Sequence, residues 1–185
     1  IPGGIVSPKG KLIYIIALVI GIGIPISIIY LLNLLRFRIE GHTDVEKLTT
    51  VPIIGDIPLT DAGKNGTPTI AVRENDNNIM AETFRSLRTN LLFIMGDPDK
   101  KVILVTSTIS GEGKTFMASN LAVSLALLGK KVILVGLDIR KPGLNKIFHL
   151  SHKEKGITQY LAAPQSTDLH ALIQPSGITS NLDLL

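Results

Sequence analysis

The sequence predicts an α/β domain in which helices flank a parallel sheet, preceded by one membrane-spanning helix. Residues 12–35 form a long run without a charged side chain, whereas the chain after about residue 70 has the composition of an ordinary α/β protein. In that second part, two apolar, β-branched runs, 101–106 and another from Val132, enclose a glycine-rich turn and an apolar helical pattern. A strand, a turn, a helix and a second strand in this order are typical of a parallel βαβ unit.

The composition limits the classes of function open to the chain. Its 185 residues suffice for one domain with a sizeable core. The mean hydropathy of +0.35 is high for a soluble protein, which indicates that apolar residues are concentrated in one place. The 19 basic and 15 acidic residues give a net charge of only +4 without a dense basic stripe, which argues against nucleic acid as a partner. The chain has no cysteine, which excludes disulfides and thiolate metal sites.

The uncharged run of residues 12–35 is long enough to cross a membrane. As a helix it would extend roughly 36 Å, against a hydrocarbon core of about 30 Å. A signal peptide has a shorter apolar region, and a buried core helix is rarely apolar on every side for so long. Pro25 is tolerated inside a membrane helix. Arg36, Arg38 and Lys47 follow the run and outnumber the two lysines before it, which favours the C-terminal side as cytoplasmic.

The rest of the chain divides by composition. Residues 1–11 are rich in proline and glycine and are expected to form an extended segment before the transmembrane helix of residues 12–35. Residues 36–70 mix charge with proline and glycine and are expected to form a cytoplasmic linker, with a short docked piece at "VPIIGDIP". Residues 71–185 are expected to form the α/β domain.

Two amphipathic helices are predicted in that domain. In the first, apolar residues recur at helical spacing, and Asp97-Pro98 is expected to end the helix. The second follows the glycine-rich turn, and Gly129 is expected to end it. The predicted apolar faces consist of Met80, Phe84, Leu87, Leu91 and Met95 in the first helix and of Ala118, Leu121, Ala122, Leu125 and Leu128 in the second.

The turn "TSTISGEGKT" has the setting of a phosphate-binding loop. It lies between a predicted strand and a predicted helix, where backbone N–H groups and the helix dipole favour an anion. Gly111 and Gly113 would let the backbone approach phosphate oxygens. Lys114 would reach the β- and γ-phosphates, and the Thr115 hydroxyl would bind Mg²⁺. Thr108 stands where the full motif has glycine, which requires its φ to be negative; the alternative is a glycine-rich turn with an exposed lysine.

Four stretches together resemble the bacterial tyrosine kinases of polysaccharide export, in which a chain-length-determinant membrane region is fused to a cytoplasmic P-loop domain. "VSPKGKL" with the apolar run and "DVEKLTTVPIIGDIP" is similar to the second membrane helix of that region and its cytoplasmic exit. "ETFRSLR" matches an E-x-x-R-x-x-R element, and "VTSTISGEGKT" resembles the Walker A loop. "VILVGLDIRKP" resembles the second acidic motif, Walker A′, with the pattern D-x-D-x-R-x-P.

The resemblance implies a tyrosine autokinase of the bacterial inner membrane that uses ATP and Mg²⁺. It implies a ring-like homo-oligomer that phosphorylates in trans and acts with the polysaccharide polymerase and export machinery. Such phosphorylation would regulate polysaccharide chain length. The residues after about 36 would be cytoplasmic.

The resemblance also implies roles for individual residues. Catalysis would depend on Lys114, Asp138 and Arg140, and Mg²⁺ would be bound by Thr115 and Asp138. Asp138 corresponds to the second aspartate of Walker A′, with a role in metal binding or in activating the attacking tyrosine hydroxyl. The nucleotide would be held by Ser110, Gly111, Glu112, Gly113, Lys114, Thr115 and Phe116.

The E-x-x-R-x-x-R element permits two interpretations. The resemblance implies that Glu82, Arg85 and Arg88 form contacts between subunits of the ring. From spacing alone, the three side chains lie near one another on one side of a helix and form a solvated charged face.

The chain departs from the family pattern at three places. Ser110 replaces a proline that often precedes Gly-Glu-Gly-Lys, and Gly136 stands where Walker A′ has its first aspartate. The chain ends at "NLDLL", at the start of a further predicted strand, without a Walker B motif or a tyrosine-rich tail. We therefore expect a fragment of a longer protein, inactive by itself, whose acceptor tyrosines lie elsewhere.

Other functions are consistent with parts of the sequence. A partitioning-type P-loop ATPase would carry an extra lysine early in the loop, where this chain has Ile109. A polysaccharide co-polymerase component that binds nucleotide without kinase activity would explain Gly136. His149 and His152 have a spacing that could touch a metal, but such a pair is more often at the surface.

Overall fold

The structure is a computed structural model that describes residues 10–35, 41–59, 69–97, 99–139, 141–150 and 156–185. Contacts within the chain divide it into two units, Ile1–Val51 and Pro52–Leu185. The division into four segments by composition stays a prediction.

The first unit contains the predicted apolar helix. Helix α1 spans Gly10–Leu35 and passes through Pro25 without a break, and helix α2 spans His42–Glu46. The most apolar 18 residues within Gly10–Leu34 have a mean hydropathy of 2.8, and none of this window is buried. Among the described residues, α1 is the one helix long and apolar enough to cross a membrane. The arginines used to predict its orientation, at 36 and 38, lie outside the described residues.

The second unit contains a small mixed sheet. Strands β1 (Val132–Leu134), β2 (Gln174–Pro175) and β3 (Leu182–Leu184) lie in the order β1-β3-β2. Strand β3 runs parallel to β1 and antiparallel to β2. A short turn joins β2 to β3, and such a connection brings strands together in antiparallel fashion. The predicted α/β class is therefore correct, but the sheet is mixed rather than purely parallel.

Two long helices, α4 packed on the sheet and α3 packed on α4, confirm the predicted helical segments. Helix α3 spans Ile79–Met95 and helix α4 spans Lys114–Leu127. The end of α3 is Gly96 in a left-handed conformation, with φ 59°, before the predicted Asp97-Pro98 stop. The buried residues of α3 are Met80, Ala81, Phe84 and Leu87.

Helix α4 is buried more completely than an amphipathic helix would be. Its residues from Ser119 to Ala126 are all buried, because α4 packs against α3 on one side and against β1 and β3 on the other. Leu128 lies beyond the last helical residue and is exposed, so its predicted place on the buried face was wrong.

The predicted strand at residues 101–106 does not form. The segment has no regular secondary structure, no described residue pairs with it, and Val102 and Leu104 are 92% and 80% exposed. A strand buried on both faces needs a hydrogen-bonded neighbour and covering layers, and β1 instead pairs with β3. The prediction that residues 101–106 form the first strand of a βαβ unit is therefore wrong for the part of the chain that the structure describes.

Short elements complete the second unit. Helix α5 spans Leu144–Ile147, helix α6 spans Ile157–Ala162, and a 3-10 helix spans His170–Leu172. Within the piece predicted to dock, at 51–58, Ile54 and Ile57 pack against the hydrophobic core of the second unit. The Asn90 side chain donates a hydrogen bond to the Ile54 carbonyl at 2.8 Å.

Candidate nucleotide-binding site

The glycine-rich loop before α4 turns through two left-handed glycines. Gly111 has φ 97° and Gly113 has φ 88°, and an added Cβ would meet no heavy atom within 4 Å at either position. Backbone conformation, rather than space, therefore requires glycine at both positions. Thr108 is not among the described non-glycine residues with positive φ, so its Cβ causes no backbone strain. Ser110 is exposed on the loop.

The first turn of α4 has no protein cap. Its N-cap is Gly113, which offers no side chain, and the first helical hydrogen bond runs from the Met117 N–H to the Gly113 carbonyl at 2.9 Å. In the part of the chain that the structure describes, no acceptor lies on the N–H groups of Lys114, Thr115 and Phe116. Such unsatisfied N–H groups at a helix start are available to an external acceptor.

Helix α3 shows the ordinary solution in the same unit. Its N-cap Asn78 accepts a hydrogen bond from the Ala81 N–H through Oδ1 at 2.7 Å. Of the two long helices of the second unit, only α4 therefore has an open first turn. Free N–H groups at the positive end of a helix dipole are suited to a phosphate group.

The structure brings Lys114 and Asp138 together. Lys114 Nζ lies 3.9 Å from Asp138 Oδ2, with 36% and 43% of the two side chains exposed. An ion pair with this exposure contributes little to the stability of the fold. Breaking it would therefore cost little free energy if the Lys114 ammonium moved to a phosphate. Asp138 follows strand β1 in the chain. The hydrogen bonding between β1 and its neighbour ends with the bond from the Gly136 N–H to the Leu185 carbonyl, at 2.8 Å. The carboxyl ends of parallel strands are common ligand sites in α/β proteins.

Thr115 lies against the turn before α5. A Cβ on Gly143 would lie 3.1 Å from Thr115 Cγ2 and 3.3 Å from Thr115 Oγ1. Glycine at 143 therefore leaves room around the hydroxyl that would bind a metal. Sequence reasoning missed this residue, because the Pro142-Gly143 pair indicates a turn but not what the turn approaches.

The oxygen ligands available at the site suit Mg²⁺ bound together with a nucleotide. Mg²⁺ in phosphoryl-transfer sites usually takes one or two protein oxygens and completes its shell with phosphate and water. The Thr115 hydroxyl and the Asp138 carboxylate are donors of this type. Among the described residues, no group of three or more His, Cys, Asp or Glu side chains could hold a metal alone.

Two predicted nucleotide-binding side chains point away from an open site. The ring of Phe116 packs edge-to-face on Phe84, with centroids 5.8 Å apart, so this side chain belongs to the core and only its N–H lies in the open turn. Glu112 turns back on the loop, and its Oε2 accepts hydrogen bonds from the N–H groups of Thr108 at 2.9 Å and Ile109 at 3.2 Å.

Gly136 is packed by α5. A Cβ there would lie 3.0 Å from Leu144 Cδ1, which is closer than side chains tolerate without movement. The space beside the Walker A′ position is thus occupied by a leucine side chain. A carboxylate at 136 would require Leu144 to move.

The E-x-x-R-x-x-R side chains make contacts within the chain. Arg85 forms an ion pair with Glu82 and donates to the Asp76 carbonyl at 2.5 Å. Arg88 donates to the Ser124 carbonyl of α4 at 2.8 Å and is half-buried, so the interpretation as a solvated face is wrong for Arg88. The role of all three in subunit contacts stays a prediction.

Arg140 lies outside the described residues, as does His152. His149 is exposed and adopts a left-handed conformation with φ 51°.

Sequence reasoning also missed Asn120, which is fully buried in α4. Its Oδ1 accepts from the N–H groups of Ala71 at 2.7 Å and Val72 at 3.1 Å. Its Nδ2 donates to the carbonyls of Thr69 at 3.2 Å and Phe116 at 2.9 Å. The available signal was an amide side chain within a largely apolar helical stretch, since a buried side-chain amide requires such partners.

The chain is similar to known P-loop proteins and bacterial kinases. A family model described as ParA, NUBPL iron-transfer P-loop NTPase, matches residues 99–176. The putative tyrosine-protein kinase EpsB of Ralstonia nicotianae is 31% identical over 91% of this chain and 23% of its own length. The tyrosine-protein kinase YwqD of Bacillus subtilis is 38% identical over 58% of this chain and 44% of its own length.

Solved structures give the same result for the fold. The BceF tyrosine kinase domain has a TM-score of 0.66 at 29% identity, over 80% of this chain and 61% of that domain. The chain spans about a quarter of the length of several full-length relatives it matches. These similarities confirm the predicted P-loop type of fold with flanking helices.

Proposed function

We propose that this chain, a homologue of the bacterial tyrosine kinases, contributes the nucleotide site of an enzyme that transfers the γ-phosphoryl group of ATP to tyrosine hydroxyls. The observation that carries the proposal is the uncapped first turn of α4, with Lys114 at its start. Its free N–H groups and an adjacent ammonium are the donors that a phosphate chain needs.

The residues of the chain would act by positioning and charge. The N–H groups of Lys114, Thr115 and Phe116 would hold phosphate oxygens, and the Lys114 ammonium would leave Asp138 for the β- and γ-phosphates. Mg²⁺, bound by the Thr115 hydroxyl and the Asp138 carboxylate, would neutralise charge on the transferring group. Fixed charges around the γ-phosphoryl group supply most of the catalysis in phosphoryl transfer.

The cellular role belongs to the same proposal. The exposed apolar helix α1 would anchor the protein in the bacterial inner membrane, with the second unit on the cytoplasmic side. Subunits would assemble in a ring and phosphorylate one another, and the cycle would regulate polysaccharide chain length and export. The names of several relatives as tyrosine kinases, one from a cps region, support this role.

The test is phosphotyrosine in the full-length protein after incubation with Mg·ATP, measured by mass spectrometry. We expect phosphotyrosine in the unmodified protein, little in a Lys114→Met variant, and unchanged amounts in Lys130→Met. The control removes the same charge at the other end of α4, about 20 Å away by helix rise. No phosphotyrosine in the unmodified protein, although it binds ATP, would contradict the kinase proposal.

A second candidate is a nucleotide-binding co-polymerase component without kinase activity. The observation that favours it is Gly136, where Leu144 occupies the space that a first Walker A′ carboxylate would need. Loss of one metal-side carboxylate can lower the rate of phosphoryl transfer by orders of magnitude while nucleotide still binds. Under this candidate, ATP alters the oligomer measured by light scattering, but the protein gains no phosphotyrosine.

The match of residues 99–176 to a ParA-type model also bears on a partitioning-type ATPase. Such ATPases carry a lysine early in the loop, and this chain has Ile109 there, 66% exposed. We therefore place this candidate third. Phosphate release from ATP without phosphotyrosine would favour it.

A further inference from the structure

The side chain of Glu112 is bound to the beginning of its own loop. Glu112 Oε2 accepts hydrogen bonds from two consecutive backbone N–H groups, those of Thr108 and Ile109, at 2.9 and 3.2 Å. Consecutive N–H groups in a turn form a concavity that binds anions. Here the anion is a carboxylate from the same loop.

The loop's donors are thus divided between two sets. The N–H groups at its start are taken by Glu112, whereas those of Lys114, Thr115 and Phe116 at its end have no acceptor in the described structure. A carboxylate and a phosphate would compete for the same donors if both sets were open. The division reserves the helical set for the ligand.

We propose that Glu112 is a positioning residue that holds the loop in the shape required to bind a nucleotide. The inference rests on the proposed nucleotide site and assigns Glu112 a task within it. The carboxylate does not contact the nucleotide in this proposal. It fixes the start of the loop, and thereby the path of the backbone to the first turn of α4.

Few other contacts fix the start of the loop. Ile109 is 66% exposed, so core packing does not fix it. The Ser107 hydroxyl donates to the Ile109 carbonyl at 3.1 Å, which is the one other hydrogen bond that the described structure gives to this part of the loop. Gly111 and Gly113 bring high conformational freedom, which a charge-assisted pair of hydrogen bonds offsets.

The experiment measures dissociation constants of Mg·ADP and Mg·ATP by calorimetry on the full-length protein. The variants are Glu112→Ala, Glu112→Gln and Glu112→Asp, with Glu74→Ala as an exposed control that removes the same charge. We expect Glu112→Ala to weaken both nucleotides about tenfold, since two charge-assisted hydrogen bonds are lost in a partly solvated site. Glu112→Gln keeps an acceptor of equal reach, so its affinities should stay within about threefold of the unmodified protein.

The Glu112→Asp variant distinguishes the effect of side-chain length from the effect of charge. Its carboxylate is one methylene shorter, so we expect it to bind nucleotides as weakly as Glu112→Ala while the net charge is unchanged. Thermal unfolding of each variant shows whether the fold is intact. A loss of affinity without a change in melting temperature, restored by glutamine, is the signature of a positioning role.

Other results would overturn the inference in distinguishable ways. Equal affinities for all variants would show that Glu112 does not position the loop, while leaving the proposed function intact. If Glu112→Ala and Glu112→Gln both bind ATP, but not ADP, more tightly than the unmodified protein does, the carboxylate repels the γ-phosphate instead. No nucleotide binding by the unmodified protein would overturn the proposed function and this inference together.

Discussion

Asn120 satisfies four backbone groups at the centre of the second unit. It ties the segment 69–72, which has no regular structure of its own, to the middle of α4. We expect Asn120→Ala to lower the free energy of unfolding by roughly 2–4 kcal/mol, because it leaves several buried backbone groups without partners. The measurement is the shift in thermal midpoint followed by circular dichroism.

Asn90→Ala is the matched control for that prediction. Asn90 makes one exposed hydrogen bond, to the Ile54 carbonyl, and its loss should cost under about 1 kcal/mol. Equal midpoints for the two variants would contradict the structural role of Asn120.

Gly136 lies close to the Leu144 side chain, and its backbone conformation does not require glycine. Gly136→Asp would restore the acidic residue of the family pattern, but its Cβ would lie 3.0 Å from Leu144 Cδ1. We expect the substitution to destabilise the protein by about 1–3 kcal/mol, as overpacking does. In the double variant with Leu144→Ala, part of that loss should return in thermal unfolding. A fully tolerated Gly136→Asp would show that Leu144 moves freely.

At this scale, the sequence identifies the residues that carry charge and special conformation. The family resemblance implied that Lys114 and Asp138 share one site, and Asp138 lies 3.9 Å from Lys114. The sequence does not reveal close approaches, such as Gly143 to Thr115 or Glu112 to the loop start. These depend on distances between segments, which no local pattern encodes.

At the scale of elements, α3 and α4 are joined by a side chain that the family resemblance assigns to subunit contacts. Arg88 donates to the Ser124 carbonyl, whereas Glu82 lies at the surface with 60% of its side chain exposed. We expect Arg88→Ala to lower the free energy of unfolding by about 1–2 kcal/mol and Glu82→Gln by under about 1 kcal/mol. Thermal unfolding of both variants checks the difference.

The difference in expected stability between the Arg88→Ala and Glu82→Gln variants decides which of them tests subunit contacts. A smaller oligomer in Arg88→Ala could follow from a loosened fold, whereas in Glu82→Gln it would report on the interface. We expect Glu82→Gln to reduce the oligomer mass in light scattering with a nearly unchanged melting temperature. An unchanged mass would contradict the proposed contact of Glu82.

Helical periodicity proved a better guide to elements than apolarity. The spacing of Met80, Phe84 and Leu87 is a property of one segment, and these residues are buried as predicted. The run at 101–106 has the composition of a buried strand, but a strand forms only with a neighbour, and no described residue pairs with it. Apolar composition alone therefore indicates that a segment favours burial, but it does not determine whether the segment forms a strand.

At the scale of the whole molecule, the chain combines an apolar helix that could span a membrane with a unit whose helix α4 begins in an open turn suited to a phosphate. The two units have different compositions and could be recognised separately in the sequence. Because several relatives are about four times as long as this chain, function has to be measured on the full-length protein.

The most direct measurement is the dissociation constant of Mg·ATP for the full-length protein and its Lys114→Met and Lys130→Met variants. The open turn of α4 predicts that Lys114→Met weakens binding by roughly a hundredfold, since an ammonium next to the phosphate chain is lost, and that Lys130→Met leaves it unchanged. Chelation of Mg²⁺ should weaken ATP binding by the unmodified protein as well. Equal affinities for the two lysine variants would contradict the assignment of the nucleotide site to the first turn of α4.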